Sequence, residues 1–476
     1  MKRLFAYKLQ YFGWSALVLN FCLASVAVLY VHVCRTATIM SPRSTLVSLD
    51  LTIVNAMLSG CCPCVIPETS LSLHVMNSHA THSCVFLQSL QRQSDISVLI
   101  EDSVFTNQIA YLKIYQSEAG QVNVELKNVS FSAHDVGIGI YGDFNEMTSY
   151  INLTVRDSHF QSLSYFQPLV YVRFCSSHVT LDVRNCTFAH SKNEAIMVQT
   201  ASINALVTDN VFTGIYRGSW HLGFCNPSSN RTSTALPHKI EISNNRFTSD
   251  GEAFGNFLYF NSDGIQELNH SVNISSNDFQ HISNTSNAIY IQSKQYRHHS
   301  YTIASNNFTK IVGNAIGVRG ACLHLSINDN RIQNSACRER CVLLNGTQGQ
   351  VNITGNIFMD NSPQDSVIAL VHTSGSSNFT TYVNRNKFKN NTAVVLSTNV
   401  PYVVIHENFF ENDNFYNIRV TATNNSYKHD VINASFNDWG TSDVTLISRS
   451  IYDNVYDEKL PKVIFHPYLE SKDTTQ

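Results

Sequence analysis

The sequence predicts an all-β fold, a single-domain right-handed parallel β-helix solenoid of about 13 coils with a cap at each end. Three observations support this prediction. A short phrase recurs at a nearly constant spacing, the residues before each phrase alternate between apolar and polar, and no stretch of about ten residues within the repeats has helical periodicity. Together they indicate short strands separated by turns, repeated along the chain.

The recurring phrase is an Asn placed two residues before an aromatic or large apolar residue. Its last residues lie 22 to 35 residues apart, which is the period of a repeat architecture. The clear cases are Asn210 with Phe212, Asn245 with Phe247, Asn277 with Phe279, Asn306 with Phe308, Asn330 with Ile332, Asn356 with Phe358, Asn386 with Phe388 and Asn408 with Phe410. A looser form, with the polar residue three places earlier, pairs Asp102 with Phe105, Asn128 with Phe131, Asp157 with Phe160, Asn185 with Phe188 and Asn433 with Phe436.

Each coil is predicted to hold two strands. Before the phrase, apolar and polar residues alternate, as where Leu153 and Val155 flank Thr154, and after it comes a second run such as Ala-Ile-Tyr-Ile at 288–291. Stacking equivalent strands about 4.8 Å apart would bury the apolar side of every coil. A leucine-rich-repeat horseshoe also carries an Asn in each repeat, but the Leu-x-x-Leu-x-Leu pattern of that repeat is absent from the sequence. A propeller blade is excluded because it needs a longer period.

The Asn residues of the clear phrases are predicted to form a ladder. In stacked coils, equivalent side-chain amides lie above one another and can hydrogen bond from coil to coil. We also expect each Asn to adopt the left-handed backbone conformation that a sharp corner requires. The predicted ladder residues are Asn210, Asn245, Asn277, Asn306, Asn330, Asn356, Asn386 and Asn408.

Four segments are predicted along the chain. Residues 1–35 combine early basic residues with the apolar run 11–34, and are either a cleaved signal peptide or an uncleaved signal anchor. Residues 36–95 are interpreted as an N-terminal cap with degenerate coils, and residues 96–436 as the β-helix. Residues 437–476 form the C-terminal cap and tail, in which Ser442 and Asp443 cap a short helix carrying Val444, Ile447, Ile451 and Val455 on one side, and 463–465 form a last strand.

The composition argues against nucleic-acid binding and against a bound cofactor. The net charge is −3 and only 14% of residues are charged, so no basic surface is available for phosphates. The Gly-x-Gly-x-x-Gly match at 137–142 lies in a predicted strand with no helix after it, and therefore indicates a tight backbone position. We predict no cofactor, no metal site and no nucleic-acid partner.

The cysteines outside the first apolar run are predicted to form disulfides. The cluster at 61–64, with nearby histidines, fits no common zinc-finger spacing, and a basic-then-apolar N-terminus predicts an oxidising compartment. The sequence cannot assign the pairs. The candidates are Cys61, Cys62, Cys64, Cys84, Cys175, Cys186, Cys225, Cys322, Cys337 and Cys341.

Fourteen sequons for N-glycosylation occur in the chain. Three of them, at Asn128, Asn185 and Asn433, lie in the corner phrase, where we expect the ladder to hide them. The remaining predicted sites are Asn152, Asn230, Asn269, Asn273, Asn284, Asn307, Asn345, Asn352, Asn378, Asn390 and Asn424.

No catalytic residues are predicted. Polysaccharide hydrolysis requires two positioned carboxyl groups, and lyases of this shape need acids for calcium plus a base. The nearest clusters are His406 and Glu407 with Glu411 and Asp413, and Asp250 with Glu252. We interpret both, and the run Arg297, His298 and His299, as solvated loops.

The phrase, the period and the second strand resemble right-handed parallel β-helix proteins of the pectate-lyase-like superfamily, over roughly residues 70–468. The closing segment, Asn-Asp-Trp-Gly-Thr at 437–441 followed by Val-Ile-Phe-His-Pro-Tyr-Leu at 463–469, resembles the end of the β-helix domains of the bark beetle (Anakonda) transmembrane family. That resemblance implies adhesion at the tricellular junctions of epithelia. The sequence departs from that family because it shows no scavenger-receptor or lectin module and no C-terminal apolar span.

Two functional classes follow from these features. The first is a secreted or cell-surface glycoprotein that acts as an adhesion or interaction module. Its predicted partners are extracellular proteins or the same protein on neighbouring cells, N-linked glycans, and the membrane through residues 11–34 if they are retained. The alternative is a carbohydrate-active enzyme, either a polyuronate lyase or a glycoside hydrolase, which predicts a strand face lined by at least two acids plus Arg or Lys.

Overall fold

A computed structural model describes the chain in stretches separated by gaps. Short strands are described at 5–6, 20–21, 27–29 and 38–40. The remaining described residues are 48–55, 57–59, 64–66, 70–81, 85–89, 95–106, 112–116, 120–133, 137–142, 150–162, 168–173, 178–190, 194–200, 202–214, 222–225, 238–249, 256–261, 270–282, 287–293, 299–320, 324–347, 349–371, 380–399, 402–412, 416–421 and 430–470.

The chain divides into two units, residues 1–240 and 241–476. In the first unit, each coil contributes one strand to each of three parallel sheets, and a separate antiparallel pair joins Phe5–Ala6 to Asn20–Phe21. The first sheet contains Ala27–Leu29, Ser48–Val54, Ser70–Met76, Ile96–Glu101, Gln121–Lys127, Tyr150–Arg156, His178–Arg184 and Ser202–Thr208. The second contains Met57–Ser59, His79–Thr81, Val104–Thr106, Ser130–Ala133, His159–Ser162, Thr187–Ala189 and Val211–Thr213. The third contains Thr38–Met40, Cys64–Ile66, Val85–Ser89, Leu112–Gln116, Ile138–Gly142, Val170–Arg173, Ile196–Gln199 and Leu222–Cys225.

The second unit repeats the same three strands in each coil. Its first sheet contains Lys239–Ser243, His270–Ser275, His299–Ala304, His324–Asn328, Gln350–Thr354, Thr381–Asn384, Val403–His406, Val431–Asn433 and Lys462–Ile464. The second contains Arg246–Thr248, Asp278–Gln280, Asn307–Thr309, Arg331–Gln333, Ile357–Met359, Lys387–Lys389 and Phe409–Glu411. The third contains Leu258–Asn261, Asn287–Ser293, Asn314–Gly320, Arg340–Asn345, Ser366–Val371, Val394–Thr398, Ile418–Val420 and Ile451–Tyr452.

The parallel register confirms the predicted β-helix. Leu153 pairs with Leu181 of the next coil, and the alternation of apolar and polar residues buries one side of each strand in the coil interior. The number of turns differs slightly from the predicted 13. At least one coil lacks the phrase, since Ala80 takes the place in its coil that Phe105 takes in the next.

Stacked aromatic rings fill the interior beside the second sheet. In the first unit, Phe105, Phe131, Phe160, Phe188 and Phe212 form a column with neighbouring ring centroids 4.7 to 5.2 Å apart. In the second unit one column runs through Phe247, Phe279 and Phe308, and Ile332 continues it in register to Phe358, Phe388 and Phe410. All of these rings except that of Phe105 are less than 2% exposed, so the aromatic residue of each of these phrases lies in the coil interior.

The predicted asparagine ladder is present in the second unit. The side-chain Nδ2 and backbone N of Asn356 both donate to Oδ1 of Asn386, at 2.9 Å, and Nδ2 also donates to the carbonyl of Ile327 in the preceding coil. Equivalent bonds link Asn245, Asn277, Asn306, Asn330, Asn356, Asn386 and Asn408. The expectation that these residues adopt the left-handed conformation was wrong, because the residue before each Asn does so, as at Asn244 (φ 56°) and Ser276 (φ 57°).

The looser phrases of the first unit share this geometry. Their Asp or Asn, for example Asp102 and Asn128, is the left-handed corner residue, and a different residue occupies the ladder position. Ser103 accepts from the backbone N of Ser78 at 3.1 Å, and Oδ1 of Asn210 accepts from the backbone N of Cys186 at 2.8 Å. A hydroxyl therefore replaces the amide as acceptor in part of this unit.

The last predicted phrase was misplaced. Phe436 is an exposed corner residue with φ 59°, and Asn433 lies on the outside of a strand. Asn437 instead accepts the ladder bond from Asn408 at 3.0 Å, and Trp439 stacks on Phe410 at 4.9 Å. The phrase is therefore Asn437 with Trp439, and its ring lies three residues after Phe436.

Further ladders, which the sequence analysis did not predict, stabilise other corners of the second unit. Nδ2 of Asn361 donates to Asn391 at 3.0 Å, and Nδ2 of Asn391 donates to Asn412 at 3.1 Å. At another corner Nδ2 of Asn287 donates to Asn256, and Nδ2 of Asn314 donates to Asn287, both at 2.8 Å. Each of these polar groups is satisfied by its equivalent one coil away.

The C-terminal cap contains the predicted helix in a shorter form. The helix is Val444–Arg449, and Asp443 caps it by accepting from the backbone N of Thr445 and Leu446. Ile447 is its buried residue, whereas Ile451 belongs to a strand and Val455 is 75% exposed. The predicted helical stripe therefore ends at Arg449.

The N-terminal predictions concern residues that lie largely outside the described part of the chain. Most of residues 1–35, and with them the choice between signal peptide and anchor, lie outside the described residues, as does most of the cysteine cluster at 61–64. Within the described part of the chain, no helix has the length and apolar character needed to cross a bilayer. The four segment boundaries remain predictions.

Replacing one of two adjacent phenylalanines tests the aromatic column. Phe410→Ala removes a ring stacked between Phe388 and Trp439, so the free energy of unfolding should fall by about 3–5 kcal/mol. Phe409 points outward beneath the Lys387 ammonium, and Phe409→Ala should cost about 1 kcal/mol or less. Denaturant unfolding of both variants measures the difference. Equal losses would contradict the column.

Removing one ladder amide tests the hydrogen bonds between coils. Asn356→Ala leaves the backbone N–H of Asn330 without its acceptor and the carbonyl of Ile327 without its donor, both in the interior. We expect a loss of about 2 kcal/mol or more in the free energy of unfolding. Asn328→Ala is the control, because it loses only a bond from Ser326 on the outer face. A loss no larger than that of the control would argue against a structural ladder.

Candidate functional surface

The outward side of the first sheet carries a band of charged residues in the first unit. We call it the charged face, and it comprises His74, Glu101, Glu125, Lys127, Arg156, Asp182 and Arg184. The strand register brings Lys127, Arg156 and Arg184 side by side on three neighbouring strands. Three like charges in one row require compensating anions.

Two acids of the charged face supply this compensation. Asp182 accepts from Arg156 at 3.1 Å and from Arg184 at 2.6 Å, while Glu101 lies 4.0 Å from Lys127 and 3.5 Å from His74. Glu125 is exposed and makes no hydrogen bond or ion pair with any residue that the structure describes. The ion pairs thus link neighbouring coils and leave one free carboxylate.

The alternative hypothesis, a carbohydrate-active enzyme, predicts at least two acids on one strand face. Glu125 and Asp182 stand in one column with Thr154 between them, so their Cα atoms are separated by two strand spacings, about 10 Å. Inverting glycosidases hold their two carboxyl groups about 6.5–9.5 Å apart. Asp182, however, is held by two guanidinium groups, so its carboxylate oxygens are engaged in ion pairs that stabilise the stack of coils.

In the second unit, a run of neighbouring first-sheet strands carries no Asp, Glu, Lys or Arg on its outward side. We call it the neutral face, and it comprises the outward residues of the strands from His270–Ser275 to Thr381–Asn384. One column on it reads Asn273, Thr302, Ser326 and Asn352 from coil to coil. Asn273 and Asn352, both predicted glycosylation sites, thus lie three strands apart on this face.

The structure places several predicted sequons at the surface. Asn152, Asn273, Asn307, Asn345 and Asn352 are half-buried outward residues, and Asn390 is exposed. The expectation that the corner would hide three sequons was wrong, because Asn128, Asn185 and Asn433 are all exposed. The ladder position is the next residue after Asn128 and Asn185, and it is Asn437 in the coil of Asn433. The predicted sites Asn230, Asn269, Asn284, Asn378 and Asn424 lie outside the described residues.

The acids that the sequence analysis considered for catalysis do not converge. Glu407 pairs with Arg385 and Glu411 pairs with Lys389 at 2.8 Å, each across neighbouring coils. His299 is 1% exposed at the start of a strand, which corrects its interpretation as part of a solvated loop. Asp250, Glu252, Arg297, His298 and Asp413 lie outside the described residues. Among the residues that are described, no cluster of potential metal ligands is found.

A group of arginines and tyrosines on the third sheet of the second unit was missed. Arg340 and Arg419 both donate to the carboxylate of Asp365, the former at 2.9 Å. Burial acts to raise the pKa of Asp365, but the hydrogen bonds and charges of the two guanidinium groups outweigh it and hold that pKa below its ordinary value. Nε of Arg419 is buried and makes no hydrogen bond among the described residues.

Three tyrosines adjoin this group. Tyr452 is in register with Arg419 on the next strand, stacks on Tyr456 at 5.2 Å and contacts Tyr416 edge-on at 5.3 Å. Tyr456 is 48% exposed. We call Arg340, Arg419, Tyr416, Tyr452 and Tyr456 the Tyr–Arg cluster. These residues lie up to 116 positions apart in sequence, between 340 and 456, so local pattern alone gave no signal for them.

Two of the disulfide predictions are confirmed and one is wrong. Cys337 and Cys341 form a disulfide within one coil. Cys186 is a free, buried thiol at the ladder position, where it donates weakly to the carbonyl of Arg184. Cys61, Cys62, Cys84, Cys175 and Cys322 lie outside the described residues, as do the side chains of Cys64 and Cys225.

The glycine-rich match proves to be part of a strand. Residues 138–142 form the strand Ile138–Gly142 of the third sheet. A Cβ on Gly139 would lie 2.5 Å from the ring of Tyr141, so a side chain cannot fit there without displacing that ring. The interpretation as a tight backbone position is confirmed.

Comparison with known proteins adds little. No protein-family model matches this sequence, and no curated protein matches it. A solved structure similar to the chain is a double mutant of the periplasmic alginate epimerase AlgG, with 12% sequence identity and a TM-score of 0.33. The match covers 82% of this chain and 79% of that protein. The fold assignment therefore rests on the strand pairing of the chain itself.

The buried thiol provides a test of the first unit. Burial raises the pKa of Cys186 to about 12, so hardly any thiolate exists at pH 8. In the native protein, iodoacetamide should leave Cys186 unmodified, and unfolding in guanidinium should make it react. Peptide mass spectrometry after each treatment identifies the modified residue. Rapid labelling of Cys186 in the native protein would contradict its buried position.

Proposed function

We propose that this chain is an extracellular, N-glycosylated β-helix that acts as an interaction module at the cell surface. The proposal is supported chiefly by the Tyr–Arg cluster, a half-buried surface group that ends in the exposed Tyr456. Tyrosine and arginine are among the residue types that contribute most to protein–protein binding energy. It lies on a unit whose neutral face is uncharged and carries two sequons. Recognition requires such a surface, whereas catalysis requires converging groups.

The arrangement of charges also favours binding over catalysis. Glu407, Glu411 and Asp365 are each held by a cation from another coil, so their carboxylates stabilise the stack. Within the described residues, Glu125 is the acid of the charged face that no cation holds. A single free carboxylate does not meet the requirement for two positioned acids.

We further propose epithelial cell contacts as the place of action, with tricellular junctions as the first location to examine. This part of the proposal rests on the resemblance of the closing segment to the bark beetle family. Trp439, which opens that segment, has a structural role as the last ring of the aromatic column. The partner is then an extracellular protein or a second copy of the chain on a neighbouring cell.

A carbohydrate-active enzyme is the second candidate, because Glu125 and Asp182 share one column of the charged face. Asn152 lies two residues before Thr154 on the strand between those acids. The two functional classes differ in whether Asn152 carries a glycan. A glycan on Asn152 would cover the middle of the charged face and block a polymeric substrate. An unmodified Asn152 would leave the face open.

Display of the full chain on cells that do not otherwise adhere tests the proposal. Such cells should cluster with one another or bind epithelial cells, and Tyr456→Ala should weaken binding about tenfold or more, as expected for an interface hot spot. Tyr150→Ala is the matched control, since Tyr150 is a similarly exposed tyrosine of the first unit, and it should leave binding unchanged.

Two results would contradict the interaction role. One is an absence of clustering and of epithelial binding by a correctly displayed chain. The other is shortening of a uronate polymer by the purified protein that Glu125→Gln abolishes, which would favour the enzyme instead.

A further inference from the structure

The outer surface changes character at the C-terminal end of the second unit. Of the twelve large apolar side chains that are exposed in the described part of the chain, eight lie beyond residue 430, so apolar exposure is concentrated in the closing segment. Those eight are Val431, Phe436, Val444, Leu446, Val455, Tyr456, Ile464 and Leu469. A concentration of exposed apolar side chains promotes association with other molecules unless something shields it from water.

Part of this apolar surface surrounds Asn433. On the first sheet Asn433 is paired with Val404 of the preceding strand and Ile464 of the following one. Val431 lies two residues earlier on the same strand and therefore points to the same side. Val431 is 48% exposed and Ile464 is 42% exposed. Phe436, which follows at the corner, is 46% exposed.

Tyr402 extends the same patch. It precedes Val404 by two residues and is 41% exposed. We call Tyr402, Val404, Val431, Phe436 and Ile464 the apolar patch. It differs from the neutral face of the same sheet, where the outward residues are mainly Asn, Ser and Thr.

Asn433 itself is exposed and chemically available. With Ala434 and Ser435 it forms a sequon. Its Oδ1 accepts from the backbone N of Ser435 at 3.1 Å and from the hydroxyl of Ser435 at 2.7 Å, which fixes the amide plane. Its Nδ2, the atom that receives a glycan, donates no hydrogen bond to any residue that the structure describes.

Five other surface sequons differ in this respect. Their Nδ2 donates to a side-chain oxygen of the preceding coil, with distances from 2.7 to 3.1 Å. The pairs are Asn128 with Asp102, Asn152 with Asn123, Asn185 with Asp157, Asn307 with Asp278 and Asn390 with Asp360. These sequons also lie away from the apolar patch, which makes Asn390 a suitable comparison for Asn433.

We propose that Asn433 carries an N-linked glycan whose first sugars lie over the apolar patch. A bond forms between Nδ2 of Asn433 and the anomeric carbon of a diphosphate-linked oligosaccharide donor, the bond from that carbon to the diphosphate breaks, and one amide proton is released. The C–H faces of the inner sugars then pack against Val404, Val431 and Ile464, and their hydroxyls face water. This inference rests on the proposed secretion and glycosylation of the chain.

The position of the patch explains why a sugar is a suitable cover. Lys462–Ile464 is the last strand of the first sheet in the described residues, and a final strand offers unpaired backbone groups to other chains. A glycan on the neighbouring strand is bulky and hydrated. It covers apolar surface and hinders pairing at the edge, without requiring another protein.

The experiment uses the full chain secreted from eukaryotic cells. Site mapping by mass spectrometry, through the deamidation that a deglycosylating amidase leaves behind, should find Asn433 occupied. Asn433→Gln should lose one glycan, bind several-fold more of a hydrophobic fluorescent dye and self-associate. Asn433→Asp should behave in the same way, although it keeps an oxygen that can accept from Ser435. Enzymatic deglycosylation of the folded wild-type protein should also raise dye binding.

Asn390→Gln provides the matched control. It removes a glycan from an exposed corner outside the patch, and dye binding should stay at the wild-type level. An unoccupied Asn433 on a protein glycosylated at other sequons would overturn this inference alone. Equal dye binding by Asn433→Gln and Asn390→Gln would overturn the covering role. A secreted protein without any glycan would overturn the proposed function as well.

Discussion

The register of the coils in the second unit is fixed by a buried side-chain amide that hydrogen bonds to the equivalent amides of the neighbouring coils. Each ladder Asn in the middle of the stack donates to the next Asn and to a carbonyl of the preceding coil, while its oxygen accepts two bonds, as Asn356 does. An unmade bond of this kind costs about 1–3 kcal/mol, so a coil shifted by one residue would lose several at once. The register of the three sheets, the aromatic column and the sides on which charges appear all follow from this constraint.

The β-helix and most of its ladder could be predicted because the ladder and the aromatic column fix the spacing of Asn and Phe in each coil. Where the prediction failed, the reasons were also physical. Ser103 can replace an amide as acceptor, so the first unit appeared irregular although its corners are the same. Asn433 and Phe436 have the spacing of the looser phrase, so they were predicted to form it, although Asn437 and Trp439 occupy the ladder and the aromatic column. The Tyr–Arg cluster could not be predicted, because it depends on which coils become neighbours.

The two units differ in the residues on the outward side of their first-sheet strands. In the first unit, cations that would repel one another are held by acids such as Asp182, which gives neighbouring coils a charged connection on the outside. In the second unit the neutral face is covered mainly by amides and hydroxyls, and a group of charges lies on the third sheet around Asp365. A protein with few charges can thus present chemically distinct sides without altering its interior.

The ladder partners are separated by as few as 22 residues, between Asn386 and Asn408, and by as many as 32, between Asn245 and Asn277. The hydrogen bond between the two side-chain amides is 3.0 Å long in both cases. The packing of the interior is therefore independent of the length of the loops outside it. Insertions and deletions can therefore accumulate in one coil without penalty to the others. A lineage built in this way would retain its architecture long after its members had ceased to align, and each coil would be a separate site for evolutionary change.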